Sequence, residues 1–490
     1  MKRPLILAGA LALSVLGGRP ARAQTAYEQL QMLTDALNLV RGNYVDSVGY
    51  SQLARAAING ILRSLDPHSY FMAARDFAQL SALEAGKLAG PGLSLTEIDT
   101  RIIVLSVLPR GAAERAGVQA GDRLLLVNDT PTVGSRAAEI EVRMSGPQRK
   151  RITLTLERGT SSNPDTLRLA LRTEELRDLS ITDTRVLASM AGYVRLAQFG
   201  SKAAQELESA VKQLRGSGAR GIILDLRSNP GGRVVAAVEI AQLFLPKGAL
   251  VFRTDGRKTD TDQEYRTERN GPFLDVPLIL LVDGATASAA EALAASLQDH
   301  KRARLVGRRT FGKALVQAPF FLKTGDVLWL TIARVFSPNG RLIQRDYTSI
   351  APEAYLTATR SDSAAGGVAA DVSVAESSLP TWWGRALASG AVYAVADSVA
   401  GTLPATAQAV AWQAAPDEWA RLLLPPLLAK MQRSQTELTP AARSAAARLL
   451  AARAAEVRWG VNTTIDLLLA SDPDVKAAET ALRGGGGAER

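Results

Sequence analysis

Apolar residues recur at three- and four-residue intervals from Gln29 to Ala85, with few breakers, which predicts a helical segment over 24–85. The texture changes at Gly90. Short apolar runs (Ile102–Val107, Arg123–Val127, Ile152–Glu157, Thr166–Leu171) alternate with Gly-marked turns, so 86–174 reads as a small β-rich module. From Ala191 the pattern becomes strand, helix, strand, helix. Gly221–Leu226 and Val276–Val282 are nearly continuous apolar runs, as strands covered on both faces require. Ala203–Leu214, Arg233–Leu245 and Ser288–Leu297 carry helical spacing between them, and Arg304–Val306 and Trp329–Phe336 read as further strands. This alternation predicts an α/β domain with a largely parallel sheet over 175–378. Residues 379–490 are Ala-rich and helical. Five of the six Trp lie there (Trp382, Trp383, Trp412, Trp419, Trp459), which predicts a packed extension. The fold class is thus α/β and multidomain. At ~100–200 residues per domain, 490 residues suit two to four domains.

The first 23 residues stand apart. Lys2 and Arg3 precede an apolar run from Leu5 to about Gly18, and Ala21-Arg22-Ala23 fits a small-residue cleavage site. The run falls within the ~7–15 residues of a secretory signal and is short for a bilayer span. Met1–Ala23 is therefore expected to be a signal peptide, with an uncleaved anchor as the alternative. Its loss places the protein outside the cytoplasm, in the periplasm or cell envelope, with no stable membrane anchor. The signal carries four of the bases behind the net +10, leaving +6 on the rest. That charge is mild. Arg149-Lys150-Arg151 reads as a solvated strand end, and no nucleic-acid partner is expected.

Composition narrows the chemistry. There is no Cys, and His68 and His300 are the only histidines. Thiol nucleophiles, disulfides and Cys-ligated metals are excluded, and a His-rich metal site is disfavoured. Three segments remain. Leu224-Asp225-Leu226-Arg227-Ser228-Asn229-Pro230-Gly231-Gly232 ends a buried strand in a Gly-Gly turn before a helix. Such a turn bares N–H groups that can hold an oxyanion or a phosphate, or simply reverses the chain. Ser288 opens the next helix within Ala287-Ser288-Ala289 and suits either a nucleophile or an N-cap. Lys313 sits among Phe311, Ala314, Leu315 and Val316, where desolvation would depress its pKa; a snorkelling surface lysine is the ordinary alternative. Gln317, four residues on, can orient Lys313 only where the backbone is helical or bent. His300 lies about 18 Å along the helix from Ser288, so both histidines read as structural, and lysine is the best available base.

Taken in order, these segments resemble the carboxy-terminal processing (tail-specific) proteases, S41-type Ser/Lys peptidases with a PDZ domain. Tyr44-Val45-Asp46, Ile58-Asn59-Gly60 and Ser64-Leu65-Asp66-Pro67-His68-Ser69 are similar to that family's N-terminal helical segment. Gly111-Ala112-Ala113, Ala116-Gly117, Ala120-Gly121-Asp122 and Met144-Ser145-Gly146-Pro147 resemble its PDZ module. Leu224–Gly232, Ala287-Ser288-Ala289 before Glu291, Phe311-Gly312-Lys313 and Ser337-Pro338-Asn339-Gly340-Arg341 resemble its peptidase core.

The resemblance implies a ClpP/crotonase-like core with Ser288 as nucleophile and Lys313, 25 residues later, as general base. Gln317 would position Lys313, and N–H groups of Gly231 or Gly232 and Ala289 would form an oxyanion hole. Gly90, Gly92 and Leu93 would form the PDZ loop that meets a substrate carboxylate, with Pro91 withdrawing one N–H. No metal or cofactor is implied. The partners are proteins or peptides with free C-termini, and assembly into a homo-oligomer is left open. The competing expectation is a PDZ-bearing adaptor whose peptidase domain is inactive.

Overall fold

The structure, a computed structural model, describes residues 25–84, 89–98, 101–108, 111–119, 122–160, 163–175, 180–347, 366–375, 379–380, 382–388, 391–403, 416–459 and 461–484. The expected signal peptide lies outside the described residues, as do Trp412 and the final Gly-rich stretch from 485. The chain divides into two compact units, the first ending at Ile61 and the second running from Leu62. In the first unit, α1 (Ala26–Asn43) starts at a Thr25 capping box completed by Glu28. Most of α2 (Tyr50–Arg63) follows it. The Tyr50 hydroxyl donates to Asn38 Oδ1 at 2.6 Å.

The second unit corrects one expectation. The helical pattern does not run unbroken to Ala85. β1 (Tyr70–Met72) interrupts it before α3 (Ala74–Glu84) and pairs antiparallel with β18 (Val327–Phe336). Asp66 forces the break. Its carboxylate accepts from the N–H groups of His68 and Ser69 and from the Ser69 hydroxyl, each at 2.7 Å, a turn no helix can contain. β13 (Leu250–Gly256), β14 (Gln263–Arg266) and β17 (Leu315–Phe321) complete this sheet in the order β1-β18-β13-β14, with β17 also on β18.

β2 (Ala89–Gly90) pairs with β9 (Glu174–Glu175) at the base of the small β module. The module's sheet runs β3 (Leu93–Ile98), β4 (Arg101–Val107), β5 (Arg123–Val127), β7 (Arg151–Thr160) and β8 (Asn163–Arg172), with β6 (Thr130–Pro131) on β5. Two helices, α4 (Ala112–Arg115) and α5 (Ala137–Met144), accompany it. Its core joins Ile102, Leu124, Ile140, Ile152 and Leu154.

The third sheet is ordered β10 (Ile181–Val186), β11 (Ala191–Leu196), β12 (Gly221–Asp225), β15 (Leu278–Val282), β16 (Arg304–Gly307) and β19 (Val372–Ser373). All its neighbours except β10 and β11 are parallel. Every residue of β12 and β15 is buried. On one face Leu224 and Leu280 pack under α6 (Ala203–Gly216), α7 (Val234–Gln242) and α8 (Ala289–Asp299). On the other face Tyr193, Ile223, Ile279, Leu281 and Val306 meet Leu469, Val475, Ala478 and Ala481. Those last four come from the C-terminal helices Val461–Ser471 and Pro473–Gly484. The extension therefore packs, as its tryptophans predict. Trp382, Trp383 and Trp419 also centre a separate helical core of their own.

Candidate active site

Three loops at the carboxyl ends of β12, β15 and β16 converge. The first leaves β12 through Arg227, passes Ser228 at φ 58° and reaches Gly231 (φ 96°) and Gly232 (φ 140°). Asn229, fully buried, shapes it. Its amide donates to the Leu196 carbonyl (2.7 Å), and its Oδ1 accepts from Gly231 N–H (2.8 Å). Of the two glycines, Gly231 has thus committed its N–H to Asn229. Gly232 N–H and Ala289 N–H make no hydrogen bond among the described residues. Gly231 lies so close to the second loop that an added Cβ would stand 2.8 Å from Ser288 Cβ and 2.8 Å from the Ala287 carbonyl. Gly231→Ala is expected to retain the fold and lose at least ~100-fold in peptide cleavage, read with a fluorogenic peptide; displacing a reacting group by about 1 Å has that effect.

Ser288 heads α8 with φ 59° and ψ −121°, a conformation that L residues adopt only under constraint. Its N–H donates to the Lys313 carbonyl (3.1 Å) and to Glu291 Oε2 (3.0 Å). Ser288 thus occupies the N-cap position, with Glu291 accepting from its N–H as the third residue of a capping box does.

Glu291 is the hub. It is fully buried, and its two oxygens accept from the N–H groups of Ser288, Gly312 (2.6 Å) and Lys313 (2.8 Å) and from the Thr310 hydroxyl. Burial pushes its carboxyl up to about 7, against the pull of those four donors. Lys313 is held within this frame, partly buried. Burial lowers its pKa from the ordinary lysine value, and the negative charges of Glu291, Glu141 and Asp66 oppose that shift. Among the described residues no hydrogen bond joins the Ser288 hydroxyl to the Lys313 amine. Gln317 does not orient Lys313 by hydrogen bond either. It lies in extended β17, after a register shift at Val316, and its amide donates to the His68 carbonyl.

The profile of peptidase family S41 matches residues 190–356, a PDZ-domain profile matches 103–158, and that of the "Activating protease CtpB N-terminal domain" matches 14–76. The chain is 34% identical over 325 residues to the carboxy-terminal-processing protease of Bartonella bacilliformis, covering 66% of this chain and 74% of that protein. It is 32% identical over 351 residues to the carboxyl-terminal-processing protease of Synechocystis sp., covering 67% of this chain and 81% of that one. The chain belongs to the carboxy-terminal-processing proteases of peptidase family S41. A solved photosystem II D1 C-terminal processing protease is similar in structure, with a TM-score of 0.55 and 28% identity over 74% of this chain and 97% of that one.

In this S41 protease one carboxylate of the PDZ module bears on the peptidase core. Glu141 of α5 accepts from Leu95 N–H of β3 within the module (2.7 Å). The same carboxylate acts on Lys313. The loop Gly90–Leu93 turns through Gly92 (φ 75°), and the Pro91 carbonyl accepts from Ala113 N–H (2.9 Å). Sequence reasoning passed over three participants. Glu291 reads as one more motif position until its four donors are counted. Glu141 gives no local signal. His68 does lie beside Lys313: burial, then the charges of Lys313 and Arg345, hold it well below the ordinary histidine range. It is thus neutral, in keeping with a packing and hydrogen-bonding residue, although its burial at the lysine was not legible.

Proposed function

We propose that this S41 protease is an exported serine endopeptidase that cleaves protein substrates near their C-termini with a Ser288/Lys313 dyad. Neutral Lys313 takes the Ser288 proton as the oxygen attacks a peptide carbonyl. The tetrahedral oxyanion is met by the N–H groups of Gly232 and Ala289, with Gly231 shaping the turn; each such donor supports ~3 kcal/mol of the barrier. Lys313 then protonates the leaving amine, and water releases the acyl-enzyme. The observation that carries the reading is the direct bond from Ser288 N–H to the Lys313 carbonyl, which ties nucleophile and base loops into one backbone unit. Catalytic hydrogen bonds commonly tighten only when substrate binds, and in this reading the hydroxyl and the amine meet in the substrate complex. Gln317 in this reading fixes β1 to β17 through His68 and acts on Lys313 only through that frame.

The PDZ module would hold the substrate's free carboxylate at Gly90, Gly92 and Leu93 and add its strand to β3. The test is a pair of peptides identical except that one ends in a free apolar carboxylate and the other in an amide. The acid is expected to be cleaved, and amidation to raise KM about tenfold, the weight of one or two charge-assisted hydrogen bonds. Equal turnover of both peptides would remove the C-terminal recognition; no turnover of either would remove the peptidase reading.

The pH dependence follows from the base. Lys313 acts when neutral, so kcat/KM is expected to rise with pH along a limb centred below the ordinary lysine value of 10.5, because burial lowers its pKa. A limb at or above 10.5 would contradict a desolvated base. The Met1–Ala23 leader supports export in this reading, and among the described residues no helix is long and apolar enough to cross a membrane.

A further inference from the structure

The C-terminal extension reaches the active-site loops through one buried carboxylate. Asp474, 3% exposed, lies in the first turn of helix Pro473–Gly484, beyond the residues matched by the S41 profile. Its two oxygens take a bidentate pair from Arg308 (3.0 and 3.0 Å), and Oδ2 also accepts from Arg227 Nη1 (3.0 Å). Asp472 joins the same Arg227 nitrogen (2.8 Å) and caps the helix by accepting from Asp474 N–H (2.8 Å). Arg227 begins the loop that carries Gly231 and Gly232. Arg308 begins the loop that carries Thr310, Gly312 and Lys313, and its N–H bonds the Val282 carbonyl at the end of β15 (3.0 Å). Behind them Arg227 also grips Asp225 (2.6 Å at its shortest), which accepts from the Tyr193 hydroxyl (2.7 Å). Burial pushes the Asp225 carboxyl up, but Arg227 and Arg195 outweigh that and hold it at about 2, so it stays ionised.

We propose that Asp474 is a positioning residue for peptide cleavage: it clamps Arg227 and Arg308 together from the side of the sheet opposite α6, α7 and α8, fixing the spacing between the Gly231-Gly232 turn and the Lys313 loop. The inference rests on the Ser288/Lys313 reading. Planar, bidentate Arg–carboxylate pairs fix orientation as well as distance, so one carboxylate shared by two guanidiniums sets the separation of their backbones. An aliphatic contact in the same place would hold the helix down without setting that distance. The last helix of the second unit is thereby joined to the loops of the candidate site.

The test compares Asp474→Asn and Arg308→Gln with a control on the same helix. Glu479→Ala removes the bond between Glu479 and the Ser189 hydroxyl, a tail-to-core contact away from the loops. In the full chain, Asp474→Asn and Arg308→Gln are expected to lower kcat ~10–100-fold, as a displacement of about 1 Å does, with KM changed less than ~3-fold. Glu479→Ala is expected to leave both unchanged. Hydrogen exchange should quicken at 228–232 and 308–313 in the two clamp variants only. A kcat within twofold of native in folded Asp474→Asn and Arg308→Gln would overturn the proposal. So would an equal loss in Glu479→Ala, which would mean that general docking matters. Unfolding of both clamp variants would also overturn it, because the pair would then hold the fold rather than the site. The exchange readout needs no activity, so it separates this inference from the dyad: a native chain that cleaves nothing but quickens at those loops in Asp474→Asn keeps the clamp and removes the peptidase reading.

Discussion

Ser288→Ala and Lys313→Ala should each reduce peptide cleavage by at least ~10³-fold, and the double variant should be little worse than either alone, because groups that act as one unit are not additive. Single-turnover assays with a chromogenic peptide would show this, and residual cleavage above that level in either variant would remove the dyad. Ser288→Gly gives a sharper contrast. It should be equally inactive yet gain about 1 kcal/mol of stability in denaturant titration. Ser288 sits at φ 59° and ψ −121°, where a non-glycine residue costs ~1–3 kcal/mol and glycine repays part of its gain in unfolded-state entropy. A serine kept at a conformation that disfavours it is most simply explained by the hydroxyl that it presents.

Glu291→Gln should cost about as much activity as Gly231→Ala, ~100-fold or more, without touching a reacting atom. An amide presents one acceptor oxygen and two donors to a pocket that already holds three N–H groups and a hydroxyl. Each buried donor left without an acceptor costs ~1–3 kcal/mol, so the variant should also unfold at lower denaturant. The pH dependence separates charge from shape. Burial raises the Glu291 carboxyl from the ordinary 4.5 to about 7 in the folded chain. The native state then binds more protons than the unfolded one between these values, so the stability from this group is fully present below 4.5 and is lost as pH rises through 7. Glu291→Gln should flatten that part of the stability–pH curve. An unchanged slope would show that another group titrates there.

The sheet-forming runs were legible because burial on both faces leaves no polar positions to confuse the period: β12 and β15 fall within Gly221–Leu226 and Val276–Val282. Ser288, Lys313 and the Gly-Gly turn were legible as motifs, because each needs only local backbone chemistry. β1 was not, since Tyr70–Met72 is too short for any period and is set by an Asx turn and a partner 257 positions away at Val327–Trp329. β13, β14 and β17 escaped for a related reason: their burial is mixed, so neither alternation nor an apolar run marks them. Gln317 shows the limit of spacing arguments. Four positions after Lys313 it faces whatever the strand twist allows, which is the His68 carbonyl. Helix α5 and Glu141 could not be linked to Lys313 by any sequence distance, because the fold alone brings the two modules together.

The second face of the parallel sheet has a bearing on how the chain is made. Tyr193, Ile223, Ile279, Leu281 and Val306 are covered by residues of the last helices. During synthesis those strands emerge long before their cover does, so a nascent chain carries an open apolar sheet that cannot close by local contacts. Until the extension arrives, that surface stays uncovered, and the bonds of Asp474 to Arg227 and Arg308 are missing. A protease assembled in this order stays unfinished while it is being translated, and its own late-made helices complete it.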